Sequence, residues 1–253
     1  MPHLTDRAIC IRHWDFSETS QTVSLLCRSS GIMRGLAKGA KRAGGRFSGG
    51  IDLLTCGEVV AIVKPGRELS TLTDWSLQRT WRSLRIDLAA NQVAYYMADL
   101  VQRLLAAGDP HPSVFDAIIE GLDAIESGRS PHLAALTFQW MLLEDLGYRP
   151  RLDLDDGAPV TVSFIADTGS FSVAPGNGGW KVRRSTVEFL VRTAELVDAH
   201  RQGGRGREAS AMFAHLDAAP KDSVARGNRL LAAYLRHIVG APLGTMRALF
   251  PEL

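Results

Sequence analysis

The first eighty residues alternate between short runs of strand-forming residues and turn signals, and this pattern restricts how they can fold. The runs cover residues 7–14, 21–28, 32–38, 58–64 and 69–77. Glycine, proline and serine separate them, as at Pro65-Gly66 after the fourth run. Several short strands bounded by such turns predict a small all-β barrel or sandwich.

Residues 19–51, which include the long connection between the third and fourth runs, are basic and rich in glycine. They contain no Asp or Glu, although the whole chain has a formal net charge of only +2. Their cations are Arg28, Arg34, Lys38, Lys41, Arg42 and Arg46. Cations spread along a loop neutralise phosphates and release condensed counterions, so the segment predicts contact with a polyanion. The alternative is a solvated surface loop.

A five-stranded barrel with a basic loop between its third and fourth strands has the layout of an OB-fold. OB-folds present a strand face and loops to single-stranded nucleic acid. Residues two apart share a face of a strand, so Arg34 and Lys38 would project from the same side of the third run. Charge and layout together favour a nucleic-acid interface on this side.

The chain beyond residue 81 changes to helical periodicity. Apolar residues recur at i, i+3 and i+4 spacing within residues 87–107, 113–127, 131–146, 185–200 and 224–239. The polar, glycine-rich residues 151–180 interrupt the helices and contain a predicted β-hairpin near 158–175. Four aromatic residues lie among the helical stripes, and we predict them to be core residues and not a base-stacking surface. They are Tyr95, Tyr96, Phe138 and Trp140.

Composition indicates an ordinary globular protein. Its apolar fraction of 45% and charged fraction of 22% are typical of such proteins and supply a sizeable core. The odd number of cysteines, Cys10, Cys27 and Cys56, in apolar surroundings predicts reduced, buried thiols. Residues 1–7 carry no apolar stretch of signal-peptide length, and no later run approaches about 18 apolar residues. We therefore expect a cytoplasmic protein without a membrane segment.

Several motifs resemble a single family when they are taken together. They are WDFSETS at residues 14–20, Gly31, LAKGAKR at 36–42, STLTD at 70–74, LLEDLGY at 142–148 and YLRH at 234–237. In combination they resemble the RecO family of bacterial DNA repair proteins and recombination mediators. The resemblance spans nearly the whole chain and is strongest over residues 7–80 and weakest over residues 151–220.

The resemblance implies an α+β fold, with a five-stranded OB-fold barrel in residues 1–80 and an α-helical domain with the β-hairpin insertion in residues 81–253. It implies a nonenzymatic protein without a cofactor, located in the cytoplasm with the nucleoid. Such a protein binds single- and double-stranded DNA and promotes strand annealing. With RecR it assists the loading of RecA onto DNA coated by single-stranded DNA-binding protein. The expected DNA-binding residues are Arg28, Arg34, Lys38, Lys41, Arg42, Arg46, Lys64 and Arg67.

In this family the helical domain also carries a site for the C-terminal tail of single-stranded DNA-binding protein. An acidic peptide with an apolar end needs an apolar notch beside one or two cations. The candidates here are Arg103, Arg129, Leu133, Leu136 and Arg149. Basic residues that some relatives carry within residues 131–138 are replaced by Leu133-Ala134-Ala135-Leu136.

The sequence carries no recognisable catalytic or metal-binding motif. The glycine-rich loop is not a P-loop, because Arg42 follows Gly39-Ala40-Lys41 where Ser or Thr is required. Many RecO relatives place a four-cysteine zinc site around the hairpin, and this chain has no cysteine there, so we expect no metal. Two alternatives remain: a protein-interaction adaptor whose basic loop binds acidic tails, and a Mg²⁺-dependent nuclease. The nuclease would use Asp153, Asp155 and Asp156.

Overall fold

A closed β-barrel forms the N-terminal part of the chain. The computed structural model describes residues 3–42, 45–47, 49–64, 66, 68–154, 157–173, 179–203 and 216–253. The strands are β1 (His3–Asp15), β2 (Gln21–Cys27), β3 (Gly31–Ala37), β4 (Cys56–Ile62) and β5 (Ser70–Arg79). The barrel closes in the order β1-β2-β3-β5-β4, with β3 and β5 parallel and the other neighbours antiparallel. The predicted five-stranded barrel is confirmed.

Alternation along the strands fills the barrel interior with apolar side chains. Val23 and Leu25 of β2 belong to a buried cluster that also contains Met33, Val59 and Trp75. Since successive residues of a strand point to opposite faces, the residues between them lie on the outside of the barrel. Burying an apolar side chain of this size contributes about 1.5–3 kcal/mol, so this cluster is a main source of the stability of the barrel.

Helices cover one end of the outer surface of β1, β2 and β3. Ile9, Leu26 and Ile32 pair across these strands and are at most 4% exposed, although they face outward. The helices that follow the barrel are α1 (Ser83–Ile86), α2 (Leu88–Leu104) and α3 (Pro112–Glu126). Gly31 has a φ of 68°, and a Cβ there would lie 2.1 Å from the backbone oxygen of Asp109. Glycine is therefore required where the connection between α2 and α3 meets β3.

The chain divides into two compact units, Met1–Glu126 and Ser127–Leu253. The second unit contains the helices α4 (Pro131–Asp145), α5 (Arg184–Gly203), α6 (Lys221–Val239) and α7 (Gly244–Leu249). It also contains the strands β6 (Thr161–Ile165), β7 (Ser170–Ser172) and β8 (Trp180–Arg183). The barrel and the helical remainder confirm the α+β class. The domain boundary between residues 80 and 81 stays a prediction.

The small sheet of the second unit has one strand more than the predicted hairpin. β6 and β7 form the hairpin, and β8 pairs antiparallel with the other edge of β6. Sequence reasoning missed β8 because it is four residues long and runs directly into α5 at Arg184 without a turn. The ring centroid of Phe164 lies 5.0 Å from Phe171, 5.6 Å from Trp180 and 5.1 Å from Tyr234. These contacts pack the sheet against α6.

The sequence predicts that four aromatic residues of the helices lie in the core, and the structure gives the exposure of each. Tyr96, Phe138 and Trp140 are at most 1% exposed, which confirms the prediction for these residues. Tyr95 is 42% exposed, so the prediction was wrong for this side chain. Consecutive residues of an α-helix point about 100° apart, and Tyr95 and Tyr96 therefore cannot both face the same core.

The three cysteines are free and buried, as predicted. Burial raises the pKa of the Cys10 and Cys27 thiols to about 12, so both stay protonated at neutral pH. A thiol held in this form is a poor nucleophile, which argues against covalent chemistry at Cys27. No helix in the described segments is long and apolar enough to cross a bilayer.

Candidate nucleic-acid interface

Two rows of paired residues lie on the outer surface of β1, β2 and β3, next to the row that the helices cover. We term them the strand face. Val23 and Leu25 point into the barrel, so the residues that alternate with them on β2, and their partners on β1 and β3, point outward. The rows are Arg12, Ser24 and Arg34, and then Trp14, Thr22 and Leu36.

A β-bulge gives Arg12 and Trp14 their outward direction. The pairing of β1 with β2 skips Ile11, so that Arg12 stands opposite Ser24. In regular pairing Ile11 would occupy that place, and Arg12 would stand opposite Val23 and face the interior. Bulges re-aim side chains in this way next to functional sites.

Two arginines lie close to the ring of Trp14. The guanidinium carbon of Arg12 is 5.0 Å from the ring centroid of Trp14, and that of Arg34 is 5.9 Å from it. Trp14 is 38% exposed, and Phe16, just beyond the end of β1, is 64% exposed. Sequence reasoning missed Arg12 and Trp14 as site residues because the bulge leaves no clear signal in the sequence. The available signal was the two-residue spacing of Arg12, Trp14 and Phe16.

The turn between β1 and β2 is hydrogen-bonded to the start of the loop that follows β3. The backbone oxygen of Thr19 accepts from the N–H of Lys41 at 3.0 Å, and Ser20 Oγ accepts from the N–H of Gly39 at 3.2 Å. Ser17 Oγ in turn accepts from the N–H of Ser20 at 3.2 Å. Gly39 has a φ of 67°, a conformation that glycine adopts without strain. Turn and loop thus form one local structure.

Apolar residues anchor the described part of this loop in the barrel. Ala40, Phe47 and Ile51 are at most 5% exposed. The N–H of Ile51 donates to Oε1 of Gln21, itself buried, at 2.9 Å. Anchoring limits the conformational entropy that the loop loses when it binds a ligand. Its exposed cations are Lys38, Arg42 and Arg46.

The predicted DNA-binding cations differ in their partners. Lys41 forms an ion pair with Asp15 at 2.6 Å. Arg28 donates two hydrogen bonds to Asp116, at 2.9 Å from Nε and 2.8 Å from Nη2, and these bonds raise its pKa. Within the described residues, four more of the eight predicted cations have no carboxylate at ion-pair distance. They are Arg34, Lys38, Arg42 and Arg46.

The remaining two cations of the predicted set follow β4. Lys64 is half-buried just after the end of that strand. Arg67 lies outside the described residues. The assignment of DNA contacts to all eight residues of the set stays a prediction.

Two family models match the chain across nearly its whole length. The one described as "Recombination protein O N terminal" matches residues 1–81, and the one described as "Recombination protein O C terminal" matches residues 85–247. The chain belongs to the RecO family. This confirms the family that the sequence motifs indicated.

Relatives named DNA repair protein RecO occur in several bacteria. That of Anaeromyxobacter sp. strain K is 30% identical over 249 residues, which cover 95% of this chain and 93% of the relative. That of Geobacter sulfurreducens is 28% identical over 240 residues, which cover 94% of each chain. That of Rhodopirellula baltica is 36% identical over 143 residues, which cover 56% of this chain and 53% of the relative. The chain is thus a DNA repair protein of the RecO family.

Two leucines that the RecO resemblance implied for a partner peptide are buried in this structure, and their assignment to a peptide site stays a prediction. Leu133 is 9% exposed and Leu136 is fully buried. A Cβ added at Gly227 of α6 would stand 3.2 Å from Cδ1 of Leu136, so this leucine fills the contact between α4 and α6. A peptide at the surface of the RecO helical domain could not reach Leu136.

The three arginines of the same set already have carboxylate partners. Arg103 lies 4.0 Å from a carboxylate one helical turn away, and Arg149 is 2.7 Å and 3.5 Å from two carboxylates. Arg149 also lies over the ring of Trp140, at 5.3 Å from its centroid. The partners are Asp99 for Arg103, Asp217 for Arg129, and Asp198 and Glu144 for Arg149.

A second arginine-lined surface in the helical part of this RecO chain was not foreseen from the sequence. A cavity of about 500 Å³ lies between β8 and α6. Arg229 pairs with Glu252 there, and Arg236 donates to the backbone oxygen of Leu253. Apolar side chains beside these cations complete the cavity. They are Trp180, Leu230 and Ala233.

The described residues contain no group of three side chains that could hold a metal ion. Asp153, one member of the alternative Mg²⁺ site, is exposed. Its two proposed partners, Asp155 and Asp156, lie outside the described residues. The nuclease alternative therefore receives no support from the placement of these side chains.

Proposed function

We propose that this chain binds single- and double-stranded DNA through its strand face and basic loop and promotes the annealing of complementary strands. With RecR it would assist the loading of RecA onto DNA coated by single-stranded DNA-binding protein. Membership of the RecO family supports the role in DNA repair. DNA binding, strand annealing and assistance in RecA loading go beyond that role, and they are what we propose.

One observation carries the DNA-binding part: the cations of the strand face and the basic loop lack carboxylate partners within the described residues. An arginine or lysine without a partner can bind a phosphate directly, whereas a paired one must first give up its ion pair. These cations are Arg12, Arg34, Lys38, Arg42 and Arg46.

Annealing follows from the same charges. Two complementary strands repel each other through their phosphates, and a cationic surface that neutralises both strands lowers this barrier. The bases must remain accessible while the backbones are held. A loop that contacts phosphates meets this condition, and no covalent step or cofactor is required.

The direct test replaces Lys38, Lys41, Arg42 and Arg46 by alanine. Each lost phosphate contact reduces the slope of log K against log salt concentration by roughly 0.7–0.9, and Lys41 is held by Asp15, so the loss of the other three contacts should flatten the slope by roughly 2–3 units. Binding should weaken to a similar extent for all DNA sequences. Fluorescence anisotropy over a salt titration measures both quantities, and an unchanged slope would remove this loop from the interface.

The mediator function is tested by strand annealing on DNA coated with single-stranded DNA-binding protein, with and without RecR. We expect the wild-type chain to accelerate annealing and the fourfold alanine variant to lose most of this acceleration. A variant that loses DNA affinity but keeps full acceleration would show that annealing does not use the loop.

We propose further that the cavity between β8 and α6 receives an acidic, apolar-ended peptide such as the C-terminal tail of single-stranded DNA-binding protein. Arg229 and Arg236 would bind its carboxylates, and Trp180 and Leu230 would contact its apolar end. Glu252 already pairs with Arg229 and would compete with the peptide.

Two opposite changes test this peptide site. Replacing Arg229 and Arg236 by alanine should weaken binding of a labelled tail peptide about tenfold or more, because charged pairs at interfaces are costly to remove. Glu252→Gln should instead strengthen binding. Arg184→Ala with Arg192→Ala is the matched control. Equal affinities in all variants would exclude the cavity.

The adaptor alternative assigns the basic loop itself to acidic protein tails. It predicts that an acidic peptide displaces single-stranded DNA from the loop at similar concentrations and with the same salt dependence. If the peptide does not displace DNA while the fourfold alanine variant loses DNA affinity, the loop is a nucleic-acid site.

A further inference from the structure

We infer that Trp14, which lies beside Arg12 and Arg34, is a stacking site for an unpaired nucleobase and gives the strand face a preference for single-stranded DNA. The inference rests on the proposed DNA-binding function and adds to it a residue with a defined ligand. Phosphate binding by the loop cations does not depend on Trp14, and membership of the RecO family does not assign it a role.

The first argument is the exposure of the ring. Trp14 is 38% exposed, on a barrel whose other tryptophan, Trp75, is 3% exposed in the core. Phe16, two residues further along the chain, is a second exposed aromatic ring, at 64%. Bases of any sequence have a π-face that stacks on such rings.

The second argument is the charge around the ring. The guanidinium groups of Arg12 and Arg34 lie 5.0 Å and 5.9 Å from the centroid of Trp14. Neither has a carboxylate at ion-pair distance in the described part of the chain. A base that stacks on the ring therefore has a cation available for its phosphate. Aromatic stacking combined with backbone neutralisation is the mode by which OB-folds hold single strands.

The third argument is that the backbone is built to present this cluster. The bulge at Ile11 turns Arg12 and Trp14 outward. Ser24 stands directly between the two arginines on β2 and is small enough to leave both side chains within reach of the ring. A large residue in this place would separate Arg34 from Trp14.

The preference for single strands follows from base accessibility. In a duplex the faces of the bases are stacked on each other, and extruding one costs free energy. The phosphate contacts of the basic loop are available to single and double strands alike. Trp14 thus adds affinity for unpaired DNA and little for duplex.

The experiment compares three ligands of equal length: oligo-dT, a duplex and a single strand with abasic sites. We expect Trp14→Ala to weaken oligo-dT binding about tenfold, in line with the loss of a base–aromatic stack. Duplex and abasic affinities should change less than about twofold, and the salt slope should not change. Trp14→Phe should retain most of the affinity, because its ring also stacks.

Leu77→Ala, at an exposed apolar position of β5, is the matched control. Circular dichroism establishes that each variant is folded. An equal loss for all three ligands would show that Trp14 positions phosphate-binding groups and would overturn the stacking site. No loss for any ligand would overturn it as well, while the proposed DNA binding would stand.

Failure of the proposed function has a different signature. Wild-type protein that binds neither oligo-dT nor duplex would contradict DNA binding itself, whereas a salt slope that does not change when the loop cations are removed would exclude only the loop. The abasic ligand separates the two cases, since wild-type binding to it depends on phosphate contacts and not on stacking.

Discussion

The two units of the chain use the same type of residue in different ways. In the first unit, the cations of the strand face and basic loop have no carboxylate partner within the described residues, with Lys41 as the exception. In the second unit, several arginines on or beside the helices are paired with acids at 2.7–3.6 Å. The pairs include Arg149 with Asp198, Arg184 with Glu188, Arg192 with Glu195 and Arg226 with Asp222.

The difference shows why a count of basic residues does not locate a polyanion site. An exposed ion pair contributes about 0.2–1 kcal/mol to stability and presents little net charge to its surroundings. An unpartnered cation on an anchored loop keeps its full charge for a ligand. The chain has a net charge of +2, so its attraction for DNA depends on how the charge is distributed.

Charge reversal in each unit gives the largest expected effect. Lys38→Glu with Arg42→Glu, and Arg184→Glu with Arg192→Glu, change the net charge equally, from +2 to −2. In about 50 mM salt the loop pair should lose about a hundredfold in DNA affinity, at roughly tenfold for each lost phosphate contact. The helix pair should lose less than about threefold.

Both double variants are compared with the wild type by anisotropy with the same oligonucleotide and by thermal unfolding. The helix variant places new glutamates beside Glu188 and Glu195 and should unfold at a slightly lower temperature. If the two variants lost DNA affinity equally, net charge and not the position of the cations would govern binding.

Releasing Lys41 should have a smaller effect of opposite sign. Asp15→Asn removes the carboxylate that lies 2.6 Å from its ammonium group. A freed Lys41 can bind one more phosphate, so the salt slope should steepen by up to about 0.9 and the affinity should rise a few-fold. Salt-dependent anisotropy measures both. Glu195→Gln, which removes the carboxylate 3.0 Å from Arg192 in the second unit, is the matched control and should leave the slope unchanged.

Much of the fold could be predicted because its signals are local. Five β-runs between glycine and proline turns led to the barrel, and helical stripes led to the longer helices. β8 was missed because four residues before a helix carry too little periodicity. The burial of Leu133 and Leu136, which the resemblance implied for a partner peptide, could not be predicted because the sequence of α4 is apolar on several sides and periodicity does not mark one buried face.

The candidate site could be predicted only in part. The basic loop follows from composition, since residues 19–51 lack acids. The ion pairs formed by the cations of this segment cannot be predicted from composition. Asp15 and Asp116 are distant in sequence from Lys41 and Arg28 and contact them only in the folded chain. The outward direction of Arg12 and Trp14 depends on one skipped residue, Ile11, and period-two alternation alone would place them on the opposite face.

The smallest expected effect comes from comparing two arginines within the first unit, one in an ion pair and one without a carboxylate partner. Arg28 is bound bidentately by Asp116, whereas Arg34, on the neighbouring strand, has no carboxylate partner within the described residues. Arg34→Ala should lower the salt slope of DNA binding by about 0.9, and Arg28→Ala should leave it unchanged.

Arg28→Ala should instead lower the free energy of unfolding by about 0.2–1 kcal/mol, because both partners of its ion pair are nearly half exposed. Chemical denaturation measures this change, and Asp116→Ala should reproduce it, since either variant breaks the same pair. If Arg28→Ala reduced the slope as much as Arg34→Ala, the pair would open when DNA binds. Arg28 would then belong with the loop cations, as its position in an acid-free segment predicts, and pairing in the free protein would be a weaker guide to phosphate contacts than the two units suggest.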